Sequence, residues 1–224
     1  MKAYFISGLG ADERAFEKIV LPDGYELVHL PWIANRKNES LQSYSLRMAE
    51  GIDTKEPFVL AGLSFGGIVA IEIARIFQPQ LLILFSTVEN RGELPVLYRL
   101  GGWLGLTGIV PLKLMLHLKF ILFWFFGTTE EHSKALIRSF IENSDPEHIR
   151  WAMKHIANWQ NKETFGRVLH IHGDEDKVFP PASICSPILV PKAGHLCVYT
   201  HSAEVNALLR DHLAALRNQL SLSH

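Results

Sequence analysis

The chain has 224 residues, a formal net charge of −1, and 48% hydrophobic, 20% charged and 10% aromatic residues. That balance excludes a disordered chain and gives no basic footprint for nucleic acid, while the length fits one domain with room for an insertion. Two cysteines, Cys185 and Cys197, cannot form a disulfide framework and fit a reducing compartment. The unusual quantity is the mean hydropathy, +0.11.

The apolar run at the start ends at Ser7, too short for a signal-peptide core, and no small-residue cleavage site follows. The expected location is the cytoplasm. Ala3–Ser7 is a predicted strand, followed by a Gly8-Leu9-Gly10 turn and a polar helix from about Asp12 to Val20. Tyr25–Leu30 is a second strand. Ser40 is the predicted N-cap of a helix through about Gly51. Pro57–Leu63 is a third strand, Gly66–Phe77 a helix rich in Ile, Val and Ala, and Leu81–Phe85 a fourth strand. Val168–His172 and Ile188–Val190 are a fifth and sixth, and a last helix covers about Ser202 to Leu220. Near-continuous apolar strands alternating with helices predict an α/β fold with a mostly parallel sheet covered on both faces.

The alternation breaks between Val88 and Phe165. Residues 88–165 are predicted as a helical insertion after the fourth strand, with 1–87 and 166–224 forming the core. Within it, Thr129–Asn143 reads as a helix, and Asp145-Pro146 sets the N-cap and first position of another that runs to about Gln160. The apolar stretch Trp103–Phe126 holds much of the excess hydropathy. Pro111, Lys113, His117 and Lys119 interrupt it, and a charge near a bilayer centre costs about 2.5–3.5 kcal/mol, so a spanning helix is not expected.

Gly62-Leu63-Ser64-Phe65-Gly66 lies between the third strand and the helix that follows. This is G-x-S-x-G in the strand–turn–helix setting that the motif requires. The turn is sharp, so neighbouring positions need residues without a bulky Cβ. The Ser64 hydroxyl then stands clear of the strand end near a helix N-terminus, where negative charge is favoured. A serine hydroxyl needs a base. Among 11 histidines, His195 in Ala193-Gly194-His195 follows the last strand, on the sheet edge that carries Ser64. His170 and His172, on the fifth strand, read as strand or supporting histidines. His117, His132, His148 and His155, in the insertion, read as solvated, as do His201, His212 and His224.

After the fifth strand the chain reads His172-Gly173-Asp174-Glu175-Asp176-Lys177-Val178-Phe179-Pro180. The G-x-x-D spacing selects Asp176 as the acid that orients His195. Asp174 fits a turn-shaping role, and Glu89 after the fourth strand is the competing acid. The order Ser64…Asp176…His195 is serine–acid–histidine. Two backbone amides are needed where carbonyl charge develops. Phe65, after the serine, supplies one, and Leu9 in the first turn is the expected second. The Gly8-Leu9-Gly10 turn lacks the third glycine of a dinucleotide fingerprint.

Taken together, the first turn, the Gly62–Gly66 elbow, Asp176 and Gly194-His195 resemble the α/β-hydrolase superfamily across essentially the whole chain. The resemblance implies Ser64 as nucleophile, His195 as general base and acid, Asp176 as its orienter, and the Leu9 and Phe65 amides as the oxyanion hole. It implies no metal and no organic cofactor. It also places residues 88–165 where that superfamily carries a helical cap. Ser7-Gly8 stands where many members have His-Gly, and the chain opens on what would be the superfamily's third strand, leaving a minimal six-stranded sheet.

The implied reaction is hydrolysis of a carboxylic ester or thioester through an acyl-serine. The apolar cap, with Trp103, Leu104, Leu106, Leu112, Leu114, Met115, Leu116, Leu118 and Phe120–Phe126, points to a substrate with a lipophilic part, for which Trp103, Phe123 and Trp124 are candidate binding residues. The same residues also fit internal packing, a dimer contact or an interfacial membrane contact. A small-molecule receptor on a hydrolase scaffold, or an acyltransferase or lyase using the same triad, are the competing functions. Cys185 and Cys197 read as inert thiols.

Overall fold

The computed structural model describes residues 1–105, 123, 124, 126–128 and 130–221. Six short strands, β1 (Lys2–Ile6), β2 (Glu26–His29), β3 (Phe58–Leu63), β4 (Leu81–Phe85), β5 (Val168–Gly173) and β6 (Ile188–Val190), form one sheet. Their order is β2-β1-β3-β4-β5-β6. All five ladders are parallel, so the sheet is wholly rather than mostly parallel.

The strands are apolar on both sides because both faces are covered. Ala3, Phe5, Val59, Ala61, Ile83 and Phe85 belong to one core cluster, and Tyr4, Ile6, Leu60, Leu82 and Leu84 to another. The period-two alternation of strand side chains sends neighbours to opposite layers. The second layer holds helices α1 (Leu41–Ala49) and α2 (Phe65–Phe77). Ten of the 13 residues of α2 are buried, which explains its nearly unbroken apolar sequence.

Between β4 and β5 lie α3 (Val96–Trp103), α4 (Glu131–Glu142) and α5 (Pro146–Asn158). Asp145 caps α5 by accepting from the Glu147 amide, with Pro146 in the first turn. After β6 come the single turn α6 (Cys197–Thr200) and the long α7 (Ser202–Ser221), whose Val205, Leu209, Leu213 and Leu216 pack on the first core cluster.

The helix expected over Asp12–Val20 is instead one 3-10 turn at Glu13–Phe16. Its continuation is taken over by a distant side chain. Asn206 on α7 accepts from the Val20 amide at 3.0 Å and donates to the Lys18 carbonyl at 2.9 Å. Those backbone groups are therefore satisfied across the core rather than along a helix.

Of the apolar stretch Trp103–Phe126, residues 106–122 and 125 lie outside the described residues, including Leu106, Leu112, Leu114, Met115, Leu116 and Leu118. Among the described residues no helix is long and apolar enough to cross a membrane.

The strand order reverses at β1. The chain runs outward from β1 to β2, then returns to place β3 on the other side of β1. In open parallel sheets the crevice at the carboxyl ends of the strands beside such a reversal is where ligands bind. The loops after β1 and β3 meet there.

Candidate active site

Ser64 follows β3 directly and precedes α2. Its φ is +54° and its ψ −121°, a strained conformation for a residue with a side chain. Hydrogen bonds to its backbone hold it. The Ser64 amide donates to the Phe85 carbonyl at 2.9 Å, and the Ser64 carbonyl accepts from the Gly67 amide at 2.9 Å. The Thr87 hydroxyl also donates to that carbonyl, at 2.7 Å.

The glycines are explained by neighbours. A Cβ on Gly62 would overlap the Gly66 carbonyl, and one on Gly66 would overlap the carbonyls of Ser7 and Ile6. The elbow is thus pressed against the end of β1, with a Cβ built on Gly8 only 3.5 Å from Ser64 Cβ. This contact brings the Gly8-Leu9-Gly10 turn to the serine. The Leu9 and Phe65 amides have no acceptor among the described residues.

His195 Nε2 lies 2.9 Å from Ser64 Oγ, and His195 Nδ1 lies 2.8 Å from Asp176 Oδ2. Because Nδ1 faces a carboxylate, it carries the ring proton, and Nε2 is left to accept from the serine hydroxyl. Asp176 Oδ1 accepts from the amides of Val178, at 2.8 Å, and Phe179, at 3.0 Å. Burial pushes the Asp176 carboxyl up, but the His195 charge and hydrogen bonds from His172 and His195 outweigh it and hold the carboxyl well below the usual range. Asp176 and His195 are both almost fully buried, so this pairing is poorly screened.

The loops that carry Asp176 and His195 are tied to each other and to the β4–β5 segment. A Cβ on Gly173 would overlap the carbonyls of Ala193 and Gly194, which keeps the ends of β5 and β6 close. The His195 amide donates to the Phe126 carbonyl at 3.1 Å, and the Phe126 ring stands edge-on to the imidazole at 5.5 Å. Gly127, at φ +65°, packs against Gly194. Phe179 adds a second ring 5.8 Å from the imidazole.

The structure therefore brings together Ser64, Asp176 and His195, with Leu9 and Phe65 alongside. Glu89 is elsewhere: its Oε1 accepts from the Phe165 amide at 2.9 Å, closing the base of the β4–β5 segment. The three candidate binding aromatics have different surroundings. Trp103 is 78% exposed and Trp124 54% exposed. Lys177, next to Asp176, places its ammonium 4.5 Å over the Trp124 ring, while Phe123 packs on the first core cluster.

Two readings of the histidines are corrected. His148 is buried, with Nδ1 3.2 Å from Asn35 Oδ1, and burial pulls its pKa down. His155 is half-buried, with Nε2 3.1 Å from the Glu39 carbonyl. Neither is solvated, because α5 lays His148 on Tyr44 and Trp32 and Trp151 on Tyr44, and His155 packs against Trp151. Trp32 in turn stacks on Phe65 at 5.5 Å and donates to the Gly8 carbonyl at 3.1 Å. The spacing of His148, Trp151, Ala152, His155, Ile156 and Trp159 is a helical stripe, and that was the available signal. Among the described residues no group of three or more side chains is arranged to hold a metal ion.

No protein-family model matches the chain. No curated protein sequence matches it either. Solved structures do. MenH from S. aureus superposes with a TM-score of 0.77 at 18% identity, covering 97% of this chain and 94% of that one. An esterase from Thermogutta terrifontis gives 0.76 at 17% identity, covering 96% and 90%. A meta-cleavage product hydrolase from Pseudomonas fluorescens gives 0.69 at 19%, covering 98% and 91%. This likeness establishes the fold, which is that of the α/β-hydrolases.

Proposed function

We propose that this α/β-hydrolase-fold chain is a serine hydrolase that cleaves a carboxylic ester or thioester with a lipophilic part. The observation that carries the reading is the continuous relay from Ser64 Oγ through His195 to Asp176, at 2.9 and 2.8 Å. Esterases and hydrolases among the similar structures support the reaction class.

In this reading Ser64 attacks the substrate carbonyl while His195 Nε2 takes its proton. The Leu9 and Phe65 amides hold the oxyanion, and His195 then protonates the leaving group. Water, activated by the same imidazole, releases the acid. Asp176 keeps the proton on Nδ1 and stabilises the imidazolium. The β4–β5 segment acts as a cap whose Phe126 contributes apolar wall on one side of the base, and Phe179 from the loop after β5 flanks it too.

The test is labelling with a fluorophosphonate probe, expected in the wild-type chain and lost in Ser64→Ala. Hydrolysis of p-nitrophenyl esters is expected to improve from acetate to octanoate, and a preference for acetate would remove the lipophilic part of the proposal. Failure of the wild-type chain to label would overturn the hydrolase reading. Ligand binding without turnover would support a receptor. Transfer of the acyl group to an added alcohol in place of water would make the chain an acyltransferase.

A further inference from the structure

The Asp176 carboxylate is served by a second histidine. His172, on β5, is fully buried, and its Nε2 lies 3.2 Å from Asp176 Oδ2 and 2.7 Å from the Phe179 carbonyl. Both neighbours are acceptors, so the ring proton is on Nε2, donated to the Phe179 carbonyl with the carboxylate oxygen close beside it. His172 Nδ1 has no partner among the described residues. The ring thus makes its polar contacts at one end only, and that end faces the acid that holds His195. Oδ2 accepts from His195 Nδ1 and has His172 Nε2 3.2 Å away, while Oδ1 accepts from the Val178 and Phe179 amides. Phe179 is gripped twice, its amide by Asp176 and its carbonyl by His172. Phe179 also presents its ring to His195.

We propose that His172 is a positioning residue for the reaction, a second donor that fixes the Asp176 carboxylate and limits how much of its charge reaches His195. The inference rests on the hydrolase reading above. The geometry sets four N–H groups around the Asp176 charge, two of them backbone amides. Removing the His172 donor leaves Oδ2 to His195 alone. The imidazolium is then better stabilised and less ready to give up its proton. The carboxylate, held by one fewer contact, also orients the ring less firmly.

Other polar groups around this pair come from several elements. His170 on β5 has its ring 5.5 Å from that of His172 and its Nε2 on the Thr87 carbonyl. Tyr98 on α3 donates to the Val178 carbonyl at 3.0 Å. Cys197 on α6 is buried beside Ser86, with its thiol pushed up to about 12. None of them donates to Asp176 among the described residues.

The experiment compares the wild-type chain with His172→Phe, which keeps a ring without a donor, and His172→Gln, whose amide nitrogen can stand where Nε2 stood. The readouts are the pH profile of Ser64 labelling by a fluorophosphonate and the proton NMR position of the His195 Nδ1–H, which needs no turnover. In His172→Phe the acid limb of labelling is expected to move up by about half a pH unit, with the optimal rate down about tenfold. The Nδ1–H resonance is expected to move downfield. His172→Gln is expected to restore both. A limb and resonance unmoved in His172→Phe, or a Gln variant as shifted as the Phe variant, would overturn the proposal and leave His172 as packing. If the wild-type chain does not label but the resonance responds as described, the hydrolase reading fails and the hydrogen-bond assignment stands.

Discussion

Replacing Asp176 by asparagine removes a charge without changing shape, and the surrounding atoms dictate how the new amide must sit. Oδ1 accepts from two backbone amides, at 2.8 and 3.0 Å. An NH2 group there would face two donors, so the asparagine oxygen is forced into that position. The NH2 then points at His195 Nδ1 and at His172 Nε2–H. Against His172 it makes a donor–donor contact. Against His195 it demands an acceptor, which moves the ring proton to Nε2, the nitrogen facing Ser64. An imidazole in that tautomer cannot take the serine proton. The equivalent tautomer error in a serine protease triad costs about 10⁴ in kcat, and a loss of that order is expected here, close to 5.5 kcal/mol of transition-state stabilisation. The assay is steady-state hydrolysis of a p-nitrophenyl ester by folded Asp176→Asn protein, with near-UV circular dichroism as the fold control. Activity within tenfold of wild type would refute the reasoning, since it would mean that His195 keeps its working tautomer without the carboxylate.

Further outcomes follow from the elbow and the buried strand histidine. Gly66→Ala drives a Cβ into the carbonyls of Ser7 and Ile6, so urea unfolding is expected to show a loss on the order of 3 kcal/mol with activity abolished. A fully stable, active variant would mean that the elbow can move away from β1. Ser64→Gly removes the side chain that makes φ +54° costly, whereas Ser64→Ala keeps it, and the glycine variant is expected to be more stable by about 1 kcal/mol. Equal thermal midpoints would show that the turn is unstrained. His170 is buried, and that burial, with the neighbouring His172, holds its pKa down to about 4. The unfolded chain takes up this proton near pH 6.5 and the folded chain only near 4, so stability is expected to fall by up to about 3 kcal/mol as pH drops through that window. In His170→Leu the pH dependence of thermal unfolding should flatten between pH 6.5 and 4. The depressed Asp176 carboxyl acts in a lower window, its contribution being present above the ordinary carboxylate range and lost as pH falls below it.

The strands and the elbow were legible because their signals are local. Apolar runs bounded by turns, and glycines at fixed offsets from Ser64, state their purpose within a few residues. His195 and Asp176 could be selected by their place after particular strands, since the sheet order converts chain position into a shared edge. What stayed hidden depends on partners far along the chain. That the helix stops after the 3-10 turn at Glu13–Phe16 depends on Asn206, which takes the Lys18 and Val20 backbone groups, and the burial of His148 depends on Tyr44, Trp32 and Asn35. The contact between His172 and Asp176 needs the loop after β5 to fold back on its own strand, which no spacing announces. The bracing of the Ser64 carbonyl by Thr87 is of the same kind.

The Phe126 carbonyl, which accepts from the His195 amide, belongs to the segment between β4 and β5. Through that bond and the Gly127–Gly194 contact, the loop carrying the base has one anchor in the sheet and another outside it. The consequence is modular. Removing the segment between β4 and β5 would leave the His195 amide without its acceptor and that flank of the loop open. Grafting a foreign segment between β4 and β5 would have to supply a carbonyl at that point and a residue as small as glycine beside Gly194. Any change between β4 and β5 is constrained by the need to keep one short stretch, Phe126-Gly127, in register with His195 and Gly194.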